Sequence, residues 1–131
     1  MRVLALDYGS ARTGVAVTDA TGEIASPLTV VERAASVDGL ARIANLVREH
    51  GVERVVVGLP LTLRGERGQQ ALETDGFVES LRGVLDVTVE TYDERFTTRL
   101  AAGGEGSAPE DARAAAHLLE SYLRWSSATR G

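Results

Sequence analysis

The sequence of 131 residues contains neither cysteine nor lysine. Without cysteine the chain cannot form disulfides, thiolate metal sites or a cysteine nucleophile. Without lysine it cannot supply a P-loop lysine, a Schiff-base lysine or a serine–lysine catalytic pair. All 14 basic side chains are therefore arginines, a bias that a GC-rich genome would also produce. These two absences remove several common classes of catalytic site.

Long apolar runs are missing too, since none approaches the roughly 18 residues of a membrane span. The N-terminal run ends at Asp7, which is typical of a first strand rather than a signal peptide. The formal net charge of −5 argues against a strongly basic nucleic-acid-binding protein but allows a local patch of arginines. We expect one cytoplasmic domain over residues 1–131, with no membrane association and a frayed tail at 126–131.

Hydrophobic periodicity predicts an α/β domain with a mixed sheet, in which a β-hairpin continues into parallel strands through helical crossovers. The predicted strands are Arg2–Tyr8, Thr13–Asp19, Glu23–Val31, Val52–Gly58 and Val87–Tyr92. The predicted helices are Val37–His50, Gln69–Leu81, Phe96–Ala102 and Pro109–Trp125. Pro27 favours an edge position for the third strand. In the first helix the apolar residues have helical spacing and are expected to face inward; they are Val37, Leu40, Ile43, Ala44 and Val47. In the second helix the expected inward residues are Leu72, Phe77, Val78 and Leu81.

Charged residues follow the predicted parallel strands, where ligands of such sheets collect. Asp7 ends the first strand, and Asp93 and Glu94 follow the last. Five arginines lie in the segments after these strands, namely Arg12, Arg64, Arg67, Arg95 and Arg99. A rim of acids and arginines suits a metal-bound phosphate group, although polar loops alone would give the same composition.

The last predicted helix carries an acid on its apolar face. At about 100° per residue, Asp111 falls near the centre of the stripe formed by Ala115, Leu118 and Tyr122. An inward carboxylate needs a partner or a metal ion, although an acid in the first turn also complements the helix dipole. Carboxylates from the first strand, the last strand and this helix can converge on one or two ions. Oxygen-only ligands favour Mg²⁺ or Mn²⁺, and neither histidine is placed to contribute.

Four short motifs occur in a familiar order: DYGSARTGVA from Asp7, GLP from Gly58, DERFTT from Asp93, and Asp111 in a helix that continues as LLESYL. Together they resemble the YqgF/RuvX family of pre-16S rRNA nucleases, also described as Holliday junction resolvases, over nearly the whole chain. The resemblance implies a ribonuclease H-like fold, with five strands flanked by helices. It also implies metal-dependent hydrolysis of phosphodiester bonds at the 5′ end of 16S rRNA in the bacterial cytoplasm.

By position, the resemblance implies that Asp7, Glu94 and Asp111 are the catalytic, metal-binding acids, and that Arg12 and Arg95 contact phosphate. Arg64 joins these two as a substrate-binding candidate on the rim. Strand alternation instead favours Asp93, because it shares the parity of Val87 and Val89. The choice between Asp93 and Glu94 therefore stays open. Residues 99–111 depart from the family pattern, since they are short, glycine-rich and acidic.

Several functions compete at this stage. The leading hypothesis is a nuclease acting on pre-rRNA, as a monomer or homodimer. The first alternative is a resolvase of branched DNA, which would require a dimer to cut two strands. The others are a phosphate-binding ATPase or sugar-kinase lobe, and a non-catalytic ribosome-assembly module.

Overall fold

The structure, a computed structural model, describes residues 1–96 and 108–130. Five strands form one sheet: β1 (Val3–Asp7), β2 (Arg12–Thr18), β3 (Ala25–Glu32), β4 (Arg54–Leu59) and β5 (Thr88–Asp93). Three α-helices accompany them: α1 (Val37–Glu49), α2 (Gln69–Val84) and α3 (Glu110–Arg130). A 3₁₀ turn, Glu94–Phe96, follows β5. The predicted helix Phe96–Ala102 falls, after its first residue, outside the described residues.

The sheet is mixed, as the element order predicts. Its strands lie in the order β3-β2-β1-β4-β5. β2 pairs antiparallel with β1 and β3, whereas β4 pairs parallel with β1 and β5. β3 is an edge strand and contains Pro27, which confirms that prediction. The carboxyl ends of β1, β4 and β5 therefore meet at one edge of the sheet.

Both faces of the sheet are covered, so alternate residues of each central strand enter different cores. On one face Leu4 and Leu6 of β1 pack with residues of α1 and α2 such as Ile43 and Phe77. On the other face Val3 and Ala5 pack with α3. This two-sided burial explains why β1 is a continuous apolar run.

α3 lies unusually close to β2. Its inward face carries Ala112 and Ala115, both fully buried, beside Leu119 and Tyr122. A Cβ built on Gly14 of β2 would lie 1.8 Å from the Asp111 carbonyl oxygen. No side chain fits in that space, so the glycine sets the depth at which the first turn of α3 packs on the sheet.

Some predicted inward positions are wrong. Leu72 of α2 is 56% exposed and Val37 of α1 is 84% exposed. The buried stripe of α2 passes through Ala71 and Thr74 instead, and continues to Phe77, Val78 and Leu81 as expected. Val37 occupies the first turn of its helix, ahead of the part that covers the sheet. α3 extends five residues past the predicted end at Trp125, so residues 126–130 are helical.

Substitution of Gly14 tests this close packing. We expect Gly14→Ala to lower the free energy of unfolding by about 1–3 kcal/mol, because the added methyl group forces α3 away from β2. Urea denaturation measures the change. Gly76→Ala is the matched control, since a Cβ there meets nothing within 4 Å. Gly76 is an exposed residue of α2, so Gly76→Ala should raise the free energy of unfolding by about 0.5–1 kcal/mol. Equal effects of the two substitutions would contradict the packing described.

Candidate active site at the carboxyl edge of the sheet

Asp7 lies between two glycines in a row across the sheet. It is the last residue of β1 and pairs with Gly14 of β2. On its other side, Leu6 pairs with Val57, which places Gly58 of β4 next to Asp7. Strand alternation from Val3 and Ala5 directs Asp7 to the face that packs against α3. The two glycines leave that face open on both sides of the carboxylate.

Glu94 occupies the space above Gly58. A Cβ built on Gly58 would lie 2.5 Å from Glu94 Oε1 and 2.8 Å from its Cγ. The Glu94 side chain therefore lies directly against the β4 backbone, one strand from Asp7. Adjacent strands are about 4.8 Å apart, so this contact brings the two carboxylates into the same small region.

Asp7 and Glu94 line one cleft of about 290 Å³. The cleft is completed by residues that follow β1 and β4 and by the first turns of α2; these are Tyr8, Gly9, Ser10, Pro60, Gln70, Glu73 and Thr74. It lies at the carboxyl ends of the parallel strands, where the fold class predicts a site. Asp7 and Glu94 are predicted site residues, whereas none of the α2 residues in the cleft was predicted from the sequence. Polar side chains at spacings of three and four in the helix after β4 were the available signal.

The α2 wall of the cleft carries one acid, Glu73, and no basic side chain. The Tyr8 ring stacks on Phe77 with centroids 4.3 Å apart. Burial, together with the negative charge of Glu73, raises the pKa of the Tyr8 hydroxyl above its usual value of 10.0. Gln69 Nε2 donates to Glu73 Oε1 at 3.3 Å. A polyanionic ligand would therefore place its phosphates away from this wall.

Asp111 lies on the β2 side of Asp7, whereas Glu94 lies on the β4 side. Its backbone packs against Gly14, the strand partner of Asp7. Its side chain is 39% exposed and forms an ion pair with Arg12, with Arg12 Nε 3.3 Å from Asp111 Oδ2. The third predicted acid thus sits on the sheet-facing side of α3, while its carboxylate contacts an arginine.

Within residues 1–96 and 108–130, no three Asp, Glu or His side chains are close enough together to hold a metal ion. The structure brings Asp7 and Glu94 into one cleft and places the Asp111 backbone one strand away. The oxygen-only donors still fit a hard divalent cation such as Mg²⁺ or Mn²⁺. Gly58 and Gly14 are the positions that admit these acids, since any larger residue would displace Glu94 or Asp111.

Asp93 and Glu94 have separate environments. Arg95 Nη2 lies 2.6 Å from Asp93 Oδ2, and the Arg95 backbone N–H donates to Asp93 Oδ1 at 2.9 Å. These bonds from Arg95 hold the pKa of Asp93 below its usual 3.8. Asp93 does not line the cleft, whereas Glu94 does. Glu94 follows the parity of Glu90 and Tyr92, which is the α3 face, whereas Asp93 follows the parity of Val87 and Val89, which pack on the opposite face.

The arginines form a loose rim. Arg95 also donates from Nη1 to the Leu63 carbonyl oxygen at 3.3 Å, which joins β5 to the loop that carries Arg64. Arg64 is exposed beside Gly65, whose φ of 80° forms the turn. Arg12 is exposed and paired with Asp111. Arg99 lies outside the described residues, and Arg67 pairs with Asp75 of α2 at 3.0 Å.

The turn after β1 is closed internally. The Gly9 N–H donates to Thr13 Oγ1, and Thr13 Oγ1 donates to the Gly9 carbonyl oxygen, both at 3.3 Å. Gly9 N–H therefore serves the hairpin rather than an anion.

None of the helices within the described ranges is both long and apolar enough to cross a membrane.

Both the sequence and the fold of this chain are similar to those of known proteins. A family model described as "RuvX: Holliday junction resolvase" matches residues 1–125. A relative named "Putative pre-16S rRNA nuclease" from Rubrobacter xylanophilus is 45% identical over 130 residues, covering 93% of this chain and 91% of the relative. One of the same name from Chloroflexus aurantiacus is 50% identical over 96 residues, covering 73% of this chain. That match spans only 63% of the Chloroflexus protein.

A solved structure shares the fold. "T. thermophilus RuvC in complex with Holliday junction substrate" superposes with a TM-score of 0.71 at 16% identity, covering 98% of this chain and 96% of the other. At that identity the likeness supports the architecture alone, and it confirms the expected ribonuclease H-like fold. Because the family model matches from residue 1 to residue 125, a range that includes Asp7, Glu94 and Asp111, the chain belongs to the RuvX family.

Proposed function

We propose that this chain is a metal-dependent nuclease that hydrolyses phosphodiester bonds of pre-16S rRNA in the cytoplasm. The observation that carries the proposal is the meeting of Asp7 and Glu94 in one cleft, with Asp111 packed one strand away. It is supported by the family match and by the relatives named for this activity.

The roles follow from charge and position. Asp7 and Glu94 would hold Mg²⁺ or Mn²⁺, with Asp111 as a third carboxylate ligand. Such an ion, when bound, supplies activated water and stabilises the leaving 3′ oxygen. The arginines Arg12, Arg64 and Arg95 would grip the phosphates flanking the scissile bond, because guanidinium groups bind phosphate in a bidentate manner. The acidic α2 wall would exclude the backbone from that side and so orient the strand.

Resolution of branched DNA is the second candidate. It is favoured by the description of the matching family as a Holliday junction resolvase. Symmetric cleavage of a junction would need two copies of the chain with their clefts correctly spaced. Incubation of matched single-stranded RNA, DNA and four-way junctions with Mn²⁺ or Mg²⁺ separates the two candidates. Cleavage of RNA supports the first, and cleavage of the junction alone supports the second.

Asp7→Asn should abolish cleavage without unfolding the protein. Asn has nearly the same size but lacks the charge that holds a cation. Loss of residues that only support a metal ligand costs 10–100-fold, so loss of the ligand itself should cost more than about 100-fold in kcat. The melting temperature should stay the same or rise, because crowded carboxylates repel each other without metal.

Asp38→Asn is the control for this variant, since it removes an exposed carboxylate from α1 on the other face of the sheet. It should cleave at the wild-type rate. Near-normal specific activity of folded Asp7→Asn would reject Asp7 as a metal ligand and with it this active site. Absence of cleavage by the wild type would leave a non-catalytic role in ribosome assembly as the better account.

RNA affinity should be modest and strongly dependent on salt. Each phosphate contact contributes a slope of roughly −0.7 to −0.9 in log K against log salt. Reversing the charges of Arg12, Arg64 and Arg95 should weaken binding and flatten that slope, as measured by fluorescence anisotropy. The matched control reverses three exposed arginines elsewhere: Arg42, Arg48 and Arg124. If the control triple lost as much affinity as the rim triple, the binding surface would lie outside the cleft.

A further inference from the structure

The ion pair between Arg12 and Asp111 is built into the register of β2 and α3. Arg12, Gly14 and Ala16 alternate on the α3 face of β2, because side chains two residues apart share a face. Gly14 allows the Asp111 backbone to pack directly on β2. Arg12 lies two residues before Gly14 in the same strand. The guanidinium thus reaches the Asp111 carboxylate, at 3.3 Å, from a position set by the fold.

This pairing holds Asp111 apart from the other two acids. Asp7 and Glu94 line the cleft, whereas Asp111 does not line it and contacts Arg12. The backbone of Asp111 nevertheless packs against Gly14. Gly14 is the strand partner of Asp7, and the Cα atoms of such paired residues are about 5 Å apart. The Asp111 side chain is 39% exposed, so its carboxylate has room to change rotamer.

A nucleic-acid phosphate competes with Asp111 for the same guanidinium. Both are anions that bind arginine through its N–H fork. Arg12 is 67% exposed, so a backbone phosphate can reach it without any movement of the main chain.

We propose that Arg12 is a positioning residue that holds Asp111 away from the cation site until a substrate phosphate takes the guanidinium. Release of Asp111 then adds a third carboxylate beside Asp7 and Glu94. Substrate and divalent cation consequently bind with positive cooperativity, part of which passes through this pair. The inference rests on the proposed function, since it takes Asp111 to be a ligand of the cation.

The size of the effect follows from the exposure of the pair. Exposed ion pairs contribute about 0.2–1 kcal/mol, and a tenfold change in affinity corresponds to about 1.4 kcal/mol. Removing the arginine should therefore raise the Mn²⁺ affinity of the RNA-free protein up to about fivefold. Loss of a nearby positive charge alone would also favour a cation, so the test must separate the two causes.

A double-mutant cycle on Mn²⁺ binding, measured by isothermal titration calorimetry, makes that separation. Arg12→Gln should strengthen Mn²⁺ binding in the native background, and in the Asp111→Asn background its gain should fall to the small gain that loss of a nearby charge produces. Arg64→Gln is the matched control, because it removes a rim charge that does not contact Asp111 and should give a smaller gain. Equal gains from Arg12→Gln in both backgrounds would overturn the inference and indicate simple charge repulsion.

The second arm adds a short phosphorothioate RNA, which resists hydrolysis, at saturating concentration. The RNA should increase the Mn²⁺ affinity of the wild type by a larger factor than that of Arg12→Gln, because in the variant Asp111 is already released. An equal increase in the two proteins would overturn the coupling while leaving the nuclease proposal intact. Failure of every variant and the wild type to bind Mn²⁺ would reject the metal site itself, and with it the proposed function.

Discussion

The absence of side chains at Gly14 and Gly58 is the constraint on which the rest of the site depends. These glycines flank Asp7 on the face of the sheet that α3 covers, and each leaves a space that a Cβ would close. The Asp111 backbone fills one space and the Glu94 side chain fills the other. Acids that are far apart along the chain therefore come together because no side chain at Gly14 or Gly58 separates them from the strands beside Asp7.

This arrangement gathers negative charge at one edge of the sheet. Arg95 pairs with Asp93 and Arg12 pairs with Asp111, and both ion pairs lie beside the acids Asp7 and Glu94 that line the cleft. Burying carboxylates would be costly, and like charges held close together repel each other. A divalent cation relieves that repulsion, which is the physical reason why an acidic cleft on an acidic chain can still serve an anionic substrate.

Much of the architecture could be predicted from the sequence, because hydrophobic periodicity and strand order fix the mixed sheet. Pro27 correctly marked an edge strand, and the apolar stripe of α3 lies where the pattern indicated. The errors share a cause: sequence patterns record hydrophobicity and not the depth of packing. Helical spacing predicts an inward position for Leu72, whereas the buried stripe of α2 passes through the smaller Ala71 and leaves Leu72 exposed. Parity favoured Asp93 over Glu94, but parity does not tell which of the two buried faces of the sheet holds the site.

The pairing of Arg12 with Asp111 could not be predicted either, since it depends on how closely α3 packs against Gly14.

The most direct test of the central claim is a crystal structure of the protein grown with Mn²⁺, with the ion located by anomalous scattering at the manganese edge. The account predicts a peak in the cleft, with one carboxylate oxygen of Asp7 and one of Glu94 bound to the ion. A cleft without manganese, in crystals where the ion occupies another site, would contradict it.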